Sequence, residues 1–151
     1  MEAFDSNGIY VFLDMDTFTT QIEETGPEWN DTQFTLFVAV INAFAGYENL
    51  AGFFVANEAV TDPAGIVASP YVKAATRDTK AYMKSYGGRY VPIGYSAADI
   101  ASIRPMFQNY LACGDTADTI DFFALNIYEW VFLRDATCVF WRMLLTCSVE
   151  T

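Results

Sequence analysis

The chain has 151 residues, 53% of them apolar and 17% aromatic, the composition of one packed domain and not of a disordered segment. Eight basic residues against nineteen acidic ones leave a formal charge of −11, which argues against a nucleic-acid backbone or an anionic membrane surface as partner. There is no histidine, so Ser-His-Asp and Cys-His catalysis, histidine metal sites and a histidine pH switch are all excluded. Acid–base chemistry must come from carboxylates, tyrosines or lysines.

In chain order, four segments read as strands. Ile9–Leu13 and Phe53–Ala56 are short apolar runs of the kind buried on both faces of a parallel sheet. Tyr90–Tyr95 is weaker, because Pro92 removes a ladder donor. Phe122–Tyr128 is the fourth. Helical patterns lie between them. Phe34, Phe37, Val38, Ile41, Phe44 and Ala45 follow i, i+3, i+4, i+7 spacing, with Gly46 where a C-cap belongs. Ser69 as N-cap and Pro70 at the first helical position open the next helix, which Gly87-Gly88 stops. Ile100, Ile103, Phe107, Tyr110 and Leu111 predict a third, with Pro105 starting or kinking it. The order β-α-β-α-β-α-β predicts an α/β fold with a parallel sheet. Four such units fit half of a (β/α)₈ barrel or a small doubly wound sheet, and no GxGxxG or P-loop pattern supports nucleotide binding.

Cys113, Cys138 and Cys147 are odd in number and lack CxxC spacing, so neither a zinc site nor a disulfide scaffold is expected, and no metal or cofactor. Met1–Asp5 has no basic start followed by an apolar core, and the apolar C-terminal stretch is broken by Arg142. Neither a secretory signal nor a membrane span is expected.

In parallel α/β folds, reacting groups sit where strands end and loops begin. All four strand ends are polar here: Asp14-Met15-Asp16, Asn57-Glu58, Ser96 with Asp99, and Asn126 with Tyr128, Glu129 and Trp130. A carboxylic acid at the mouth of an apolar strand is poorly solvated and titrates high, as a general acid near neutral pH requires. Asn57 offers hydrogen bonds to a sugar hydroxyl, and Tyr128 and Trp130 offer stacking faces. The competing reading is that these residues cap helices and solvate loops.

The segments GIYVFLDMDT (Gly8–Thr17), FFVANE (Phe53–Glu58), SPYVKAATRDTKAYMK (Ser69–Lys84), VPIGYSAADIASIRP (Val91–Pro105) and NIYEW (Asn126–Trp130) occur in one order. Together they resemble the fungal β-1,3-glucanosyltransferases, glycoside hydrolase family 72, over Met1–Trp130. The resemblance implies a partial (β/α)₈ barrel containing the third to sixth strands, and retaining cleavage of β-1,3-glucan with transfer to a second glucan. It implies Glu58 as acid/base, and Asn57, Asp99, Arg104, Tyr128 and, in a more variable loop, Asp16 as sugar-binding residues. No cofactor is implied. In such a mechanism a second carboxylate attacks the anomeric carbon from about 5–5.5 Å away. The family's nucleophile lies in an FFSEYGC-like segment that this sequence does not contain.

The resemblance ends at Trp130, leaving 1–130 as the barrel part and 131–151 as a divergent tail, expected to come from an intron, a shifted frame or an alternative exon. Cys113 matches a family disulfide cysteine whose partner is expected beyond this chain, with Cys138 and Cys147 accidental. Family members are exported, glycosylated and commonly glycosylphosphatidylinositol-anchored at the cell surface. No anchor signal is expected at this C-terminus, and Asn30-Asp31-Thr32 fits the N-x-[ST] acceptor pattern. Open sheet edges predict self-association. Two other readings stand beside the transferase: a glucan-binding remnant without activity, and a doubly wound interaction module.

Overall fold

The computed structural model describes residues 1–127. The expectations for Tyr128, Glu129, Trp130, Cys138, Cys147 and the 131–151 tail lie outside the described residues.

A short helix α1 (Glu2–Asp5) precedes strand β1 (Val11–Asp14), helix α2 (Asp31–Phe44), strand β2 (Leu50–Asn57), helix α3 (Ser69–Tyr86), strand β3 (Ile93–Ala98), helix α4 (Arg104–Ala112) and strand β4 (Phe122–Asn126). All strands are parallel, in the order β1-β2-β3-β4. Phe37 and Ile41 of α2, Val72, Ala75 and Met83 of α3, and Phe107 and Leu111 of α4 form one buried cluster with Phe53, Val55, Ile93, Tyr95 and Phe123. The helices therefore cover one face of the sheet. Sequential strand order with helices on a single face is an arc of a barrel; a doubly wound sheet reverses its order and carries helices on both faces. The doubly wound alternative is thereby excluded.

The local chemistry shifts several boundaries. Pro92 has no N–H, so β3 begins at Ile93, three residues after the expected start at Tyr90, and runs on to Ala98 instead of ending at Tyr95. The Pro92 carbonyl accepts from the Phe53 N–H at 2.9 Å. Ser69 does not cap α3. A 3₁₀ turn, Ala64–Ala68, leads directly into that helix, and Ala68 is already helical at the N-cap position (φ −74°, ψ −18°). The Ser69 hydroxyl turns back to donate to the Ile66 carbonyl at 2.6 Å. Helix α2 ends at Phe44 and its C-cap, Ala45, is right-handed, so Gly46 supplies no left-handed cap; Gly87 does for α3, with φ 77°. Pro105 stands in the first turn of α4 and starts the helix without kinking it. Asn30, the glycosylation-pattern residue, is the N-cap of α2. Its Oδ1 accepts from the N–H groups of Thr32 and Gln33, while Gln33 Oε1 accepts from the Asn30 N–H, completing a capping box. Cys113, at the C-cap of α4, is disulfide-bonded, which corrects the expectation of a partner beyond this chain.

At the amino ends of the strands, Asp121 joins three elements. Its Oδ1 accepts from Lys80 Nζ at 2.7 Å, and its Oδ2 accepts from Tyr90 Oη at 2.6 Å and from the Ile93 N–H at 2.8 Å. Helix α3 is thus fixed to the starts of β3 and β4.

The face opposite the helices starts aromatic. Phe12, Phe54 and Phe122 meet with ring centroids 5.3–5.7 Å apart. The Phe122 ring lies flat on two glycines. A Cβ on Gly94 would stand 2.4 Å from it, and one on Gly52 2.8 Å. Gly94→Ala is therefore expected to displace Phe122 and cost about 1–3 kcal/mol of unfolding free energy, measured by urea denaturation. Unchanged stability would show that the ring has room to move.

Candidate active site

Further along the same face, at the carboxyl ends of the strands, the residues become polar. The change depends on one irregularity. Phe54 pairs with Gly94, but the next register pair is Asn57 with Ser96. Three residues of β2 thus advance against two of β3. This extra residue is a β-bulge, and it turns Asn57 onto the face that carries Ser96, where strict alternation would have sent it toward the helices. The β3–β4 pairing is regular, so Ser96 and Asn126 follow Gly94 and Phe122 onto that face by period two.

Glu58 follows the bulge with φ 50°, the only left-handed non-glycine residue among the described residues. Its N–H donates to the Ser96 carbonyl at 2.8 Å. Such a conformation costs a non-glycine residue roughly 1–2 kcal/mol and, where the surroundings hold it, marks functional sites. Here it directs the carboxylate toward Asn126, whose Nδ2 donates to Glu58 Oε1 at 2.7 Å and to Asn57 Oδ1 at 2.9 Å. Ser96 Oγ donates to Asn126 Oδ1 at 2.8 Å.

Two aspartates support the other side. Asp14 ends β1, and its Oδ1 accepts from the Asp16 N–H at 3.2 Å. Asp16 Oδ2 in turn accepts from the Asn57 N–H at 3.1 Å, and its Oδ1 is buried without a hydrogen-bond partner among the described residues. Burial, reinforced by the negative charges of Asp14 and Glu23 and opposed by the Asn57 N–H, raises the Asp16 carboxyl to about 7. Burial also raises Asp14 to about 6, although part of that residue remains open to solvent. Glu24 ties the loop after β1 to the loop after β2: its carboxylate accepts from the Thr61 N–H at 2.7 Å and from the Thr61 hydroxyl at 2.6 Å.

The structure thus brings Asp16, Asn57 and Glu58 into one hydrogen-bonded group. Asp99 and Arg104 pair with each other between β3 and α4, where Arg104 Nη1 donates to Asp99 Oδ1 and both side chains stay partly exposed. Tyr128 lies outside the described residues. Ser96 and Asn126 are the residues to which sequence reasoning gave no role beyond a place at a strand end. The available signal was their period-two relation to Gly94 and Phe122. Among the described residues no group of three or more carboxylates and cysteines gathers to hold a metal ion.

The elevated Asp16 carboxyl makes stability fall as pH rises. Above the ordinary aspartate value of 3.8 the unfolded chain loses this proton, whereas the folded chain keeps it until about 7. Asp16→Asn, whose side-chain oxygen can still accept from Asn57, is expected to match wild type near pH 4 and to become progressively more stable than it up to about pH 7. Urea midpoints across that range measure this, and a gap between the two proteins that stays constant would contradict it.

The family model described as "Glucanosyltransferase" matches residues 1–142. The chain is 44% identical over 132 residues to 1,3-beta-glucanosyltransferase gas4 of Schizosaccharomyces pombe, and 42% identical over 132 residues to gel1 of Aspergillus fumigatus. Each match covers 86% of this chain and 29% of the relative. A mutant of Saccharomyces cerevisiae Gas2p, solved in complex with laminaritetraose and laminaripentaose, superposes with a TM-score of 0.81 at 38% identity, over 85% of this chain and 29% of that one. The chain spans less than a third of the length of these relatives. With its barrel arc and with Asn57-Glu58 at the carboxyl end of a strand, the chain belongs to the glucanosyltransferase family, glycoside hydrolase family 72.

Proposed function

We propose that this chain carries the acid/base half of a β-1,3-glucanosyltransferase site. The observation that carries the reading is the carboxylate of Glu58, held in a left-handed turn at the carboxyl end of β2 by Asn126 and by the Ser96 carbonyl. Glu58 protonates the departing sugar oxygen and then removes the proton from the incoming glucan hydroxyl. A second carboxylate, whose family segment this sequence does not contain, has to take up the anomeric carbon in between, so that configuration is retained. Transfer prevails over hydrolysis because an acceptor hydroxyl bound in place gains a large effective molarity over water. Asn57, Asp99, Arg104 and Tyr128 contact sugar. Asp16 belongs to the same groove through the N–H of Asn57.

The substrates in this reading are β-1,3-glucan donor and acceptor chains, and the setting is the fungal cell surface, with glycosylation and a glycosylphosphatidylinositol anchor as in the family. Residues 1–130 form the barrel part and 131–151 a divergent tail. Within residues 1–127, β1 and β4 each pair along one edge only, and those edges provide for self-association.

Incubation of the chain with a reduced β-1,3-oligosaccharide tests the reading. Longer products form only where a carboxylate other than the family's nucleophile, whose segment this sequence lacks, attacks the anomeric carbon; Glu58→Gln should then reduce them by about 10²- to 10⁴-fold, the usual contribution of a general acid–base group. Retention on β-1,3-glucan without any products would instead identify a glucan-binding remnant. Neither products nor retention would remove the carbohydrate reading altogether.

A further inference from the structure

The reading of Glu58 as proton donor leaves open which of its two oxygens carries the proton, and the following inference rests on that reading. A carboxylic acid protonates a leaving group only from the oxygen that faces it. The surroundings of Glu58 distinguish the two oxygens. Both hydrogens of Asn126 Nδ2 are committed, one to Asn57 Oδ1 at 2.9 Å and one to Glu58 Oε1 at 2.7 Å. The remaining polar atom of that amide, Oδ1, accepts from Ser96 Oγ at 2.8 Å.

Every hydrogen-bonding position of the amide that the arrangement can use is therefore filled, and this fixes its orientation. Turning it over would place Oδ1 against the Glu58 carboxylate and the Asn57 carbonyl oxygen, both of them acceptors. Ser96 is only 3% exposed, so water does not compete for its hydroxyl. A proton on Oε1 would point at the Asn126 N–H, donor against donor, whereas Oε2 has no hydrogen-bond partner among the described residues.

We propose that Asn126, oriented by Ser96, is a positioning residue that keeps Oε1 of Glu58 an acceptor and so confines the transferred proton to Oε2. In the first step the Oε2–H bond breaks and its proton goes to the glycosidic oxygen, which keeps the electron pair of the breaking bond to the anomeric carbon. The second carboxylate supplies the new bond to that carbon. In the second step the acceptor hydroxyl gives its proton to Oε2 and its oxygen replaces that carboxylate, which restores both carboxyl groups. Asn126 touches no reacting atom and acts through Glu58 alone.

The test compares two donors with the full 151-residue chain. Laminaripentaose has a sugar leaving group that needs the proton, while a dinitrophenyl β-laminaribioside leaves without one. Asn126→Ala is expected to lower kcat/KM for laminaripentaose by about 10- to 100-fold, the scale of a misplaced reacting group, and to change the aryl donor by less than about threefold. Ser96→Ala, a smaller change that keeps the backbone contact to Glu58, should show the same selectivity with a smaller loss. Equal losses on both donors, or no loss on either, would overturn the proposal.

If the wild-type chain turns over neither donor, the transferase reading of this chain fails. The positioning inference is then decided by the side-chain amide resonances of Asn126. In wild type the Hδ2 proton facing Glu58 should move with pH, and in Glu58→Gln that movement should vanish. A response that survives Glu58→Gln, or none in wild type, overturns it.

Discussion

One extra residue in β2 determines what this site can be. Between the pair Phe54 with Gly94 and the pair Asn57 with Ser96, the two strands fall out of step by a single position. Side chains alternate along a strand, so that one position decides which face Asn57 occupies. Without the bulge Asn57 would point among the helices, where an amide needs partners that Phe53, Val55 and Ile93 cannot supply. With it, Asn57 joins Ser96 and Asn126, and Glu58 enters its left-handed turn against the Ser96 carbonyl. The cost of that turn is met locally by the backbone hydrogen bond and by the amide of Asn126, which hold the carboxylate where the strand stops.

The two ends of the helix-free face do different work. Toward the amino ends, Phe12, Phe54 and Phe122 pack over Gly52 and Gly94, and the missing side chains of the glycines let the Phe122 ring lie against the sheet. This apolar floor lowers the polarity beneath the carboxyl ends, where Asp14 and Asp16 hold their protons well above the usual aspartate range. A poorly solvated rim strengthens the hydrogen bonds made there and raises the penalty for breaking one of them. The network from Asp16 through Asn57 and Asn126 to Ser96 depends on such surroundings, because few of its atoms have a second partner to fall back on.

Much of this was legible in the sequence, for reasons that belong to particular residues. The strand cores are short apolar runs bounded by polar residues, so their existence and their places along the chain follow from the local pattern. Pro105 and Gly87 mark helix ends because one lacks an N–H and the other tolerates positive φ. Asn57-Glu58 stands at the close of an apolar run and declares itself. What could not be read is what depends on neighbours distant in sequence. Ser69 has the look of an N-cap, and only the preceding 3₁₀ turn takes that role from it. The bulge leaves no mark in β2 itself, since it is defined by register against β3. The choice between a barrel arc and a doubly wound sheet likewise rests on strand order, which no local pattern encodes.

The loops show how the rim is kept in one piece. Glu24 reaches from the β1–α2 loop to Thr61, eliminating the freedom of the segment that follows Glu58, and Asp16 reaches from the same loop to the Asn57 N–H. Residues on two consecutive strand-to-helix connections are thereby tied together on either side of the turn at Glu58. At the opposite end, Asp121 fixes α3 against the starts of β3 and β4 through Lys80, Tyr90 and the Ile93 N–H. The strands are anchored at one end by a charged, half-buried clamp and at the other by a network of side-chain amides, a hydroxyl and carboxyls. That division suits the proposed role of Glu58, since the network that orients its carboxylate is made of side chains while the sheet beneath is paired backbone.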